Sequence, residues 1–427
     1  MSEWIERPLG AFARIRRGAS PRPIDAPRWF AEEGPGWVRI SDVTRADGML
    51  RETEQCLSPD GVARSIRVGR GDVLMSICAT IGEPIIVDMD ACIHDGFVVF
   101  DQFDGKLDLR FLLHLLRRIA PRLRAQGQTG TQANINTGIV NSFRVRIPED
   151  TTEQSHIAVI LDLADEAIAR TEAVIAKLKQ VRAGLLHDLL TYGIDENGEV
   201  QDPIRHPERF QDSPLGQVRK SWLVAPLSQF LQSAEYGIST SLSSDGMVPV
   251  LRMNNLANGE AVLDDLKFTT REVPQNLLLR NGDVLFNRTN SYEHVGRTGI
   301  WRGQLSTATF ASYLVRLNAA PGRLSSEFLN LLLNMPESQQ RMRQFATPSV
   351  QQVNINPTSL QKMLVAVPKQ LPEQDRIVES VHTSARSLAA QDEELRKLTA
   401  IKLGLTSDLL SGHVRVPESL SIVGAQT

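Results

Sequence analysis

The sequence predicts an α+β molecule: two pseudo-repeated mixed α/β domains joined by two long helices that form an intramolecular antiparallel coiled coil. Two observations carry that prediction. Residues 132–190 recur without a gap as residues 352–410, and each copy closes on an apolar heptad. Gln132-Ala-Asn-Ile-Asn136 returns as Gln352-Val-Asn-Ile-Asn356, a shift of 352 − 132 = 220. The same shift carries Pro148 to Pro368, Glu153-Gln154 to Glu373-Gln374, and Asp188 to Asp408. Self-similarity on this scale dictates architecture before any other signal. Two copies are too few for a solenoid, so the chain is a tandem duplication, and two like surfaces suit a partner that is itself roughly two-fold.

Taken in order, residues 1–150 read as a first mixed α/β domain. Trp4 to Phe12 matches Trp222 to Phe230 at a shift of 218, Gly71-Asp-Val-Leu74 matches Gly282-Asp-Val-Leu285 at 211, and Phe111-Leu112 matches Phe328-Leu329 at 217. Fixed blocks with slipping intervals are what loops on a common scaffold produce. Short β-branched runs (Ile85 to Val87, Phe97 to Phe100, Val248 to Val250, Tyr313 to Val315) sit between Gly, Asp and Asn turn signals and read as strands. One apolar helix, 109–123 in the first half and 327–333 in the second, interrupts them.

Residues 151–192 then read as a long helix. Ile157, Leu161, Ala164, Ile168, Thr171, Ile175, Leu178, Leu185 and Leu189 follow alternating four- and three-residue steps, a heptad seam. Thr151-Thr-Glu-Gln154 reads as a capping box at its start, and Gly193 as a stop just past its end. Residues 193–221 read as an irregular connector, 222–370 as the second domain, 371–412 as the second long helix, and 413–427 as a tail. The second seam is Ile377, Val381, Leu388, Leu395, Leu398, Leu405 and Leu409, with Pro372 in the first turn and Gly412 past the end. Arg182, Ser384, Gln391 and Lys402 interrupt the seams, which argues against a free-standing homodimeric zipper and for pairing of the two helices within one chain.

Composition is that of an ordinary soluble chain, with 41% hydrophobic and 23% charged residues and a net charge of −3. No signal peptide or bilayer-length apolar run is evident. Three cysteines, Cys56, Cys78 and Cys92, fit neither a disulfide framework nor a zinc site, and a reduced cytosolic setting is the plain expectation. The usual marks of catalysis are missing: no phosphate loop, dinucleotide fingerprint, nucleophile elbow or Asn-Pro-Pro-Tyr type methyltransferase motif stands in the chain, and the eight histidines show no metal-ligand spacing. The expectation is a chain that binds and does not catalyse, with no metal.

The candidate binding residues are polar and basic. Arg117, Arg118, Arg122 and Arg124 lie on the apolar helix and lead into a loop holding Gln128, Thr129 and Thr131; Arg343, Ser349 and Gln351 occupy the parallel stretch. After the second Gly-Asp-Val-Leu block come Asn287, Arg288, Asn290, Ser291 and Arg297, where the first block is followed by Ser76 and Thr80. Arginine neutralises phosphate, while Arg, Asn and Gln can read base edges in the major groove. The same residues also fit an amphipathic helix with a solvated basic face and ordinary polar turns. The Gln-x-Asn-Ile-Asn segments are read first as ties that hold a turn where domain meets helix.

Four features stand in order, twice over: Trp-x-x-x-x-Leu (Trp4, Leu9; Trp222, Leu227), Gly-Asp-Val-Leu, Gln-x-x-Ile-Asn, and Pro followed by Glu-Gln-x-x-Ile at the helix start. With these the chain resembles a specificity (S) subunit of a type I restriction–modification enzyme over nearly its whole length. The resemblance implies that the domains are target recognition domains for double-stranded DNA, each reading half of a split sequence. It implies that the helices are a spacer and a docking strut for two methyltransferase (M) subunits, which bring restriction (R) subunits with them. S-adenosylmethionine, ATP and Mg would belong to those partners, no membrane would be involved, and the setting would be bacterial or archaeal cytoplasm. A helix of ~35 residues at 1.5 Å rise spans roughly 50 Å, against about 34–36 Å for a turn of duplex, so the lengths are compatible. Two other readings stay open at this point: a coiled-coil interaction scaffold without DNA contact, and the specificity subunit of a modification-only system.

Overall fold

The computed structural model describes residues 3–46, 48–78, 81–126, 135–349 and 352–416. The chain divides into two compact units, Met1–Ala173 with Glu393–Thr427, and Val174–Asp392. Each unit therefore holds one α/β domain, the N-terminal part of the long helix that follows it, and the C-terminal part of the other long helix.

In the first unit a five-stranded sheet runs in the order Arg14–Arg17, Phe97–Asp101, Val73–Ser76, Pro84–Val87, Met49–Leu50. In the second, a six-stranded sheet runs Leu231–Tyr236, Leu314–Ala319, Val284–Asn287, Thr298–Ile300, Gly259–Ala261, Leu256–Ala257. The strand of each Gly-Asp-Val-Leu block is central and fully buried, as an uninterrupted apolar run requires when both faces are covered. The motif itself shapes the turn before the strand. Gly71 and Gly282 have φ of 85° and 89°, which glycine adopts without strain. The next residue ties the turn to itself: Asp72 accepts from Gly69 N (2.8 Å) and Asp283 from Arg280 N (2.9 Å).

The opening tryptophans lie in two-stranded sheets with matching register, Trp4 opposite Pro148 and Trp222 opposite Pro368. Each also receives the end of a long helix. Thr151–Thr191 stops before Gly193 (φ 72°), where a Cβ would lie 2.8 Å from the Trp222 ring. Leu371–Ser411 stops before Gly412 (φ 75°), where a Cβ would lie 3.0 Å from the Trp4 ring. The glycine stops are thus also docking points, because only a residue without a side chain lets the helix end close on the indole.

Along both helices the predicted seam is the buried stripe. Ile157, Leu161, Ile175 and Leu189 are buried, as are Ile377, Val381 and Leu409, while Ala164, Ile168, Thr171, Leu388, Leu395 and Leu398 are half-buried between exposed neighbours. Within the first unit Ile157 and Leu161 share a core with Leu409 and Leu410; within the second, Leu189 and Leu190 share one with Ile377 and Val381. The charged pairs of the first unit fix the sense. Lys402 pairs with Asp165, and Arg415, four residues past the end of the second helix, grips Glu153 through two bonds of 2.6 and 2.7 Å, so partner numbers rise along the chain of one helix as they fall along the other. The two helices run antiparallel.

Three local expectations change. The start of the first long helix is not a capping box on Thr151: Asp150 caps it, accepting from Thr152 N at 2.9 Å. Gln154, fully buried, turns away and bonds three backbone groups, accepting from Asp108 N (2.8 Å) and donating to Lys106 O (3.0 Å) and Pro148 O (2.8 Å). Gln374 repeats the arrangement on Ser325 N, Arg323 O and Pro368 O, each at 2.9 Å. Since Asp108 and Ser325 cap the apolar helices Leu109–Ala125 and Ser326–Asn334, this glutamine locks domain, strand and long helix together. The connector is not irregular throughout, because Phe210–Ser213 and Gly216–Arg219 form a hairpin. Finally, the second apolar helix breaks at Pro336, which cannot continue it, and a second helix runs Pro336–Arg343.

Candidate nucleic-acid interface

In the second unit the structure brings the two candidate stretches together. Thr289–Asn290, Gln352–Ile355 and Ala346–Ser349 form one three-stranded sheet, with Thr289 opposite Asn354 and Ser349 opposite Gln352. Gln339 fastens the adjoining loop, donating to Gly296 O at 2.8 Å. Asn290 accepts from Ser291 N at 2.8 Å, and Ser291 O receives His294 N and Val295 N, so the pair builds the turn that presents Tyr292.

Arginine and tyrosine alternate on this face. The guanidinium of Arg288 lies 5.4 Å from the ring centre of Tyr236, and that of Arg343 lies 5.8 Å from Tyr292. Arg288 N donates to Tyr313 O at 3.0 Å. Tyr236, Tyr292 and Tyr313 are 48%, 59% and 48% exposed, unusually open for large aromatics that have no role outside. Aromatic faces held by arginine stack on bases and sugars, while the guanidinium remains free to meet phosphate. Sequence reasoning missed these tyrosines. The signal was present: all four tyrosines of the chain lie at or beyond position 192, and three fall between 236 and 313.

Other predicted residues take different places. Asn287 is fully buried and donates to Met253 O at 3.1 Å, so it shapes the loop and cannot reach a ligand. Ser76 is also buried, and its Oγ accepts from Glu83 N at 3.2 Å. Both leave the interface for the same reason: they end a central strand inside the sheet. Arg297 is exposed on the second unit's loop.

The basic helix of the first unit is less free than its sequence implies. Arg118 donates to Leu410 O at 2.7 Å, closing the last turn of the second long helix; burial, with Arg122 beside it, lowers its pKa. Arg124 donates to Ile81 O at 2.8 Å. Each therefore spends donors on a backbone carbonyl while its side chain stays exposed. Arg117 is 3.4 Å from Glu83, and Arg122 lies over the Phe143 ring. Thr80, Gln128, Thr129, Thr131 and Gln351 lie outside the described residues, and of Ser349 only the backbone is described. The asparagines that close the Gln-x-Asn-Ile-Asn segments are ties, as first read: Asn136 and Asn356 cap short helices, accepting from Ile139 N and Thr358 N, both at 2.9 Å.

Among the described residues no group of three or more His, Cys, Asp or Glu side chains is placed to hold a metal ion, and no helix is long and apolar enough to cross a membrane.

Residues 1–180 match the type I restriction modification DNA specificity domain. A Methanocaldococcus jannaschii protein described as a type I restriction enzyme MjaX specificity subunit is 22% identical over 212 residues, which are 48% of this chain and 49% of that protein; the match spans about half the length of this relative. The fold is shared more widely. An S subunit of a type I restriction-modification system from M. genitalium superimposes with a TM-score of 0.54 at 15% identity, over 96% of both chains. A chain from a structure concerned with complex assembly and conformational transition of the type I R-M system gives 0.58 at 17% identity, over 96% of this chain and 98% of that one. The HsdS subunit from Thermoanaerobacter tengcongensis gives 0.50 at 16% identity, over 96% and 97%. Residues 1–180 are thus similar to the type I restriction modification DNA specificity domain, and the fold along the chain is that of type I S subunits.

Proposed function

We propose that this chain reads a split target in double-stranded DNA, one half with each α/β domain, and directs two methyltransferase subunits, and restriction subunits through them, to that target. The observation that carries this reading is that the second domain sets two arginines against half-exposed tyrosines, Arg288 against Tyr236 and Arg343 against Tyr292. Arg288 and Tyr292 flank a short strand in the stretch that differs from its counterpart after Ser76, while Tyr236 ends a strand and Arg343 ends a helix. Contacts to phosphate fix position and contacts to base edges fix sequence; arginines on aromatic supports can do either. Thr80, Gln128, Thr129, Thr131, Arg117, Arg122, Asn290, Ser291, Arg297, Ser349 and Gln351 remain proposed contacts. The chain itself does no chemistry in this scheme. S-adenosylmethionine, ATP and Mg act on the partner subunits, and the long helices set the unread spacer between the half-targets.

Arg288→Ala tests the face directly. In the full chain assembled with its methyltransferase, affinity for the target duplex is expected to fall about tenfold, the loss of one good arginine contact of about 1–3 kcal/mol. Fluorescence anisotropy across a salt series measures it. An unchanged affinity with an unchanged salt dependence removes Arg288 from the interface.

A further inference from the structure

The second unit holds a cleft of about 480 Å³ on which three arginines converge: Arg297 from the loop, Arg343 from the end of the helix Pro336–Arg343, and Arg182 from the first long helix. Glu293 is the one carboxylate among its described lining residues. Among the described residues the Nε atoms of Arg182 and Arg343 are buried without a hydrogen-bond partner. An unpaired buried donor on a cation is costly, and an anion in the cleft would satisfy both of these. The neutral amides of the wall are already engaged: Gln339 bonds Gly296 O and Leu333 O, and Asn334 bonds Thr298 O.

The repeat supplies the contrast. Arg182 occupies a seam position whose counterpart is Lys402 (182 + 220 = 402), and Lys402 is neutralised by Asp165. The counterpart of Asp165 is Ala385 (165 + 220 = 385), so the acid that would silence Arg182 is missing. One helix carries a paired cation at this position and the other an unpaired one facing a basic cleft.

We propose that this cleft is a backbone-phosphate site for the DNA, so that the first long helix itself, through Arg182, grips the duplex beside the half-target read by the second domain. The proposal rests on the DNA-reading function above and assigns Arg182 to positioning without sequence choice, because phosphates are alike in every sequence. Its test uses the full chain assembled with its methyltransferase, a target duplex and an unrelated duplex, over a salt series. Arg182→Met is expected to weaken both duplexes by the same factor and to lower the slope of log K against log salt by about 0.9, the yield of one lost phosphate contact. Arg182→Lys keeps the slope, and Lys402→Met, whose charge is already matched, leaves it unchanged.

An Arg182→Met complex with unaltered melting temperature and unaltered slope overturns the proposal. So does loss of methyltransferase from the complex at constant slope, which would assign the cleft to an acidic protein surface. If Arg182→Met unfolds the second unit, Arg297→Gln on the exposed rim carries the same slope test. A wild-type complex with no preference for its target overturns the reading function itself; preference in the wild type with no slope change in the variants overturns the phosphate site alone.

Discussion

Gln374→Ala is expected to destabilise the second unit by about 3 kcal/mol or more, a large effect for one neutral side chain. Its amide is fully buried and satisfies Ser325 N, Arg323 O and Pro368 O at once. Truncation strands one donor and two acceptors away from water, at about 1–3 kcal/mol each before relaxation, and leaves a cavity as well. Gln374→Glu should not rescue it, because an ionised carboxylate would face two carbonyl oxygens. Hydrogen exchange of the amides around 323–333 measures the loss, with the first unit, held by its own Gln154, as the control in the same molecule. A change below about 1 kcal/mol would show that the lock is ornamental.

That glutamine also shows where sequence reading stops. The Glu-Gln pair was legible as the start of a helix, since helix signals are local: spacing, proline, a following heptad. What Gln154 and Gln374 bind was not legible, because their partners lie on a strand end and a helix cap up to 51 residues away. The same limit hid the partner of Arg118. By helical period it belongs to a solvated basic face, and it is exposed, yet the carbonyl it also meets is 292 residues distant. Asn287 and Ser76 looked like loop residues because they follow an apolar block, whereas each still ends the buried strand. By contrast the frame of the fold was readable throughout. The duplication fixed which blocks had to be alike, and the seam was visible because 3.5-residue periodicity survives polar interruptions such as Arg182 and Lys402. The candidate face was half legible: its arginines were found by charge, and its tyrosines were overlooked because isolated aromatics in a strand-rich domain read as core.

The second large effect concerns the helices. Removing one heptad from each, residues 166–172 and the facing residues 395–401, keeps the seam in phase and shortens the strut by about 10 Å at 1.5 Å per residue. If the helices set the spacing of the half-targets, methylation at the original spacer should fall at least about tenfold, since stretching or twisting the duplex to fit costs on the order of 1–6 kcal/mol. A target with a spacer shorter by about one to three base pairs should replace it, 10 Å being close to three steps of 3.4 Å, with the helical phase of the duplex favouring fewer. Competition among duplexes that differ only in spacer length decides the matter. A variant that keeps the original optimum would separate the helices from the spacing.

The central claim is that this chain chooses the DNA sequence on which its partners act. Mapping methylated adenines across the host genome with the gene intact, and again with it deleted, tests that claim most directly. The account predicts one split motif, two short constant words around an unread spacer, that is methylated in the first map and bare in the second. Identical maps would contradict it.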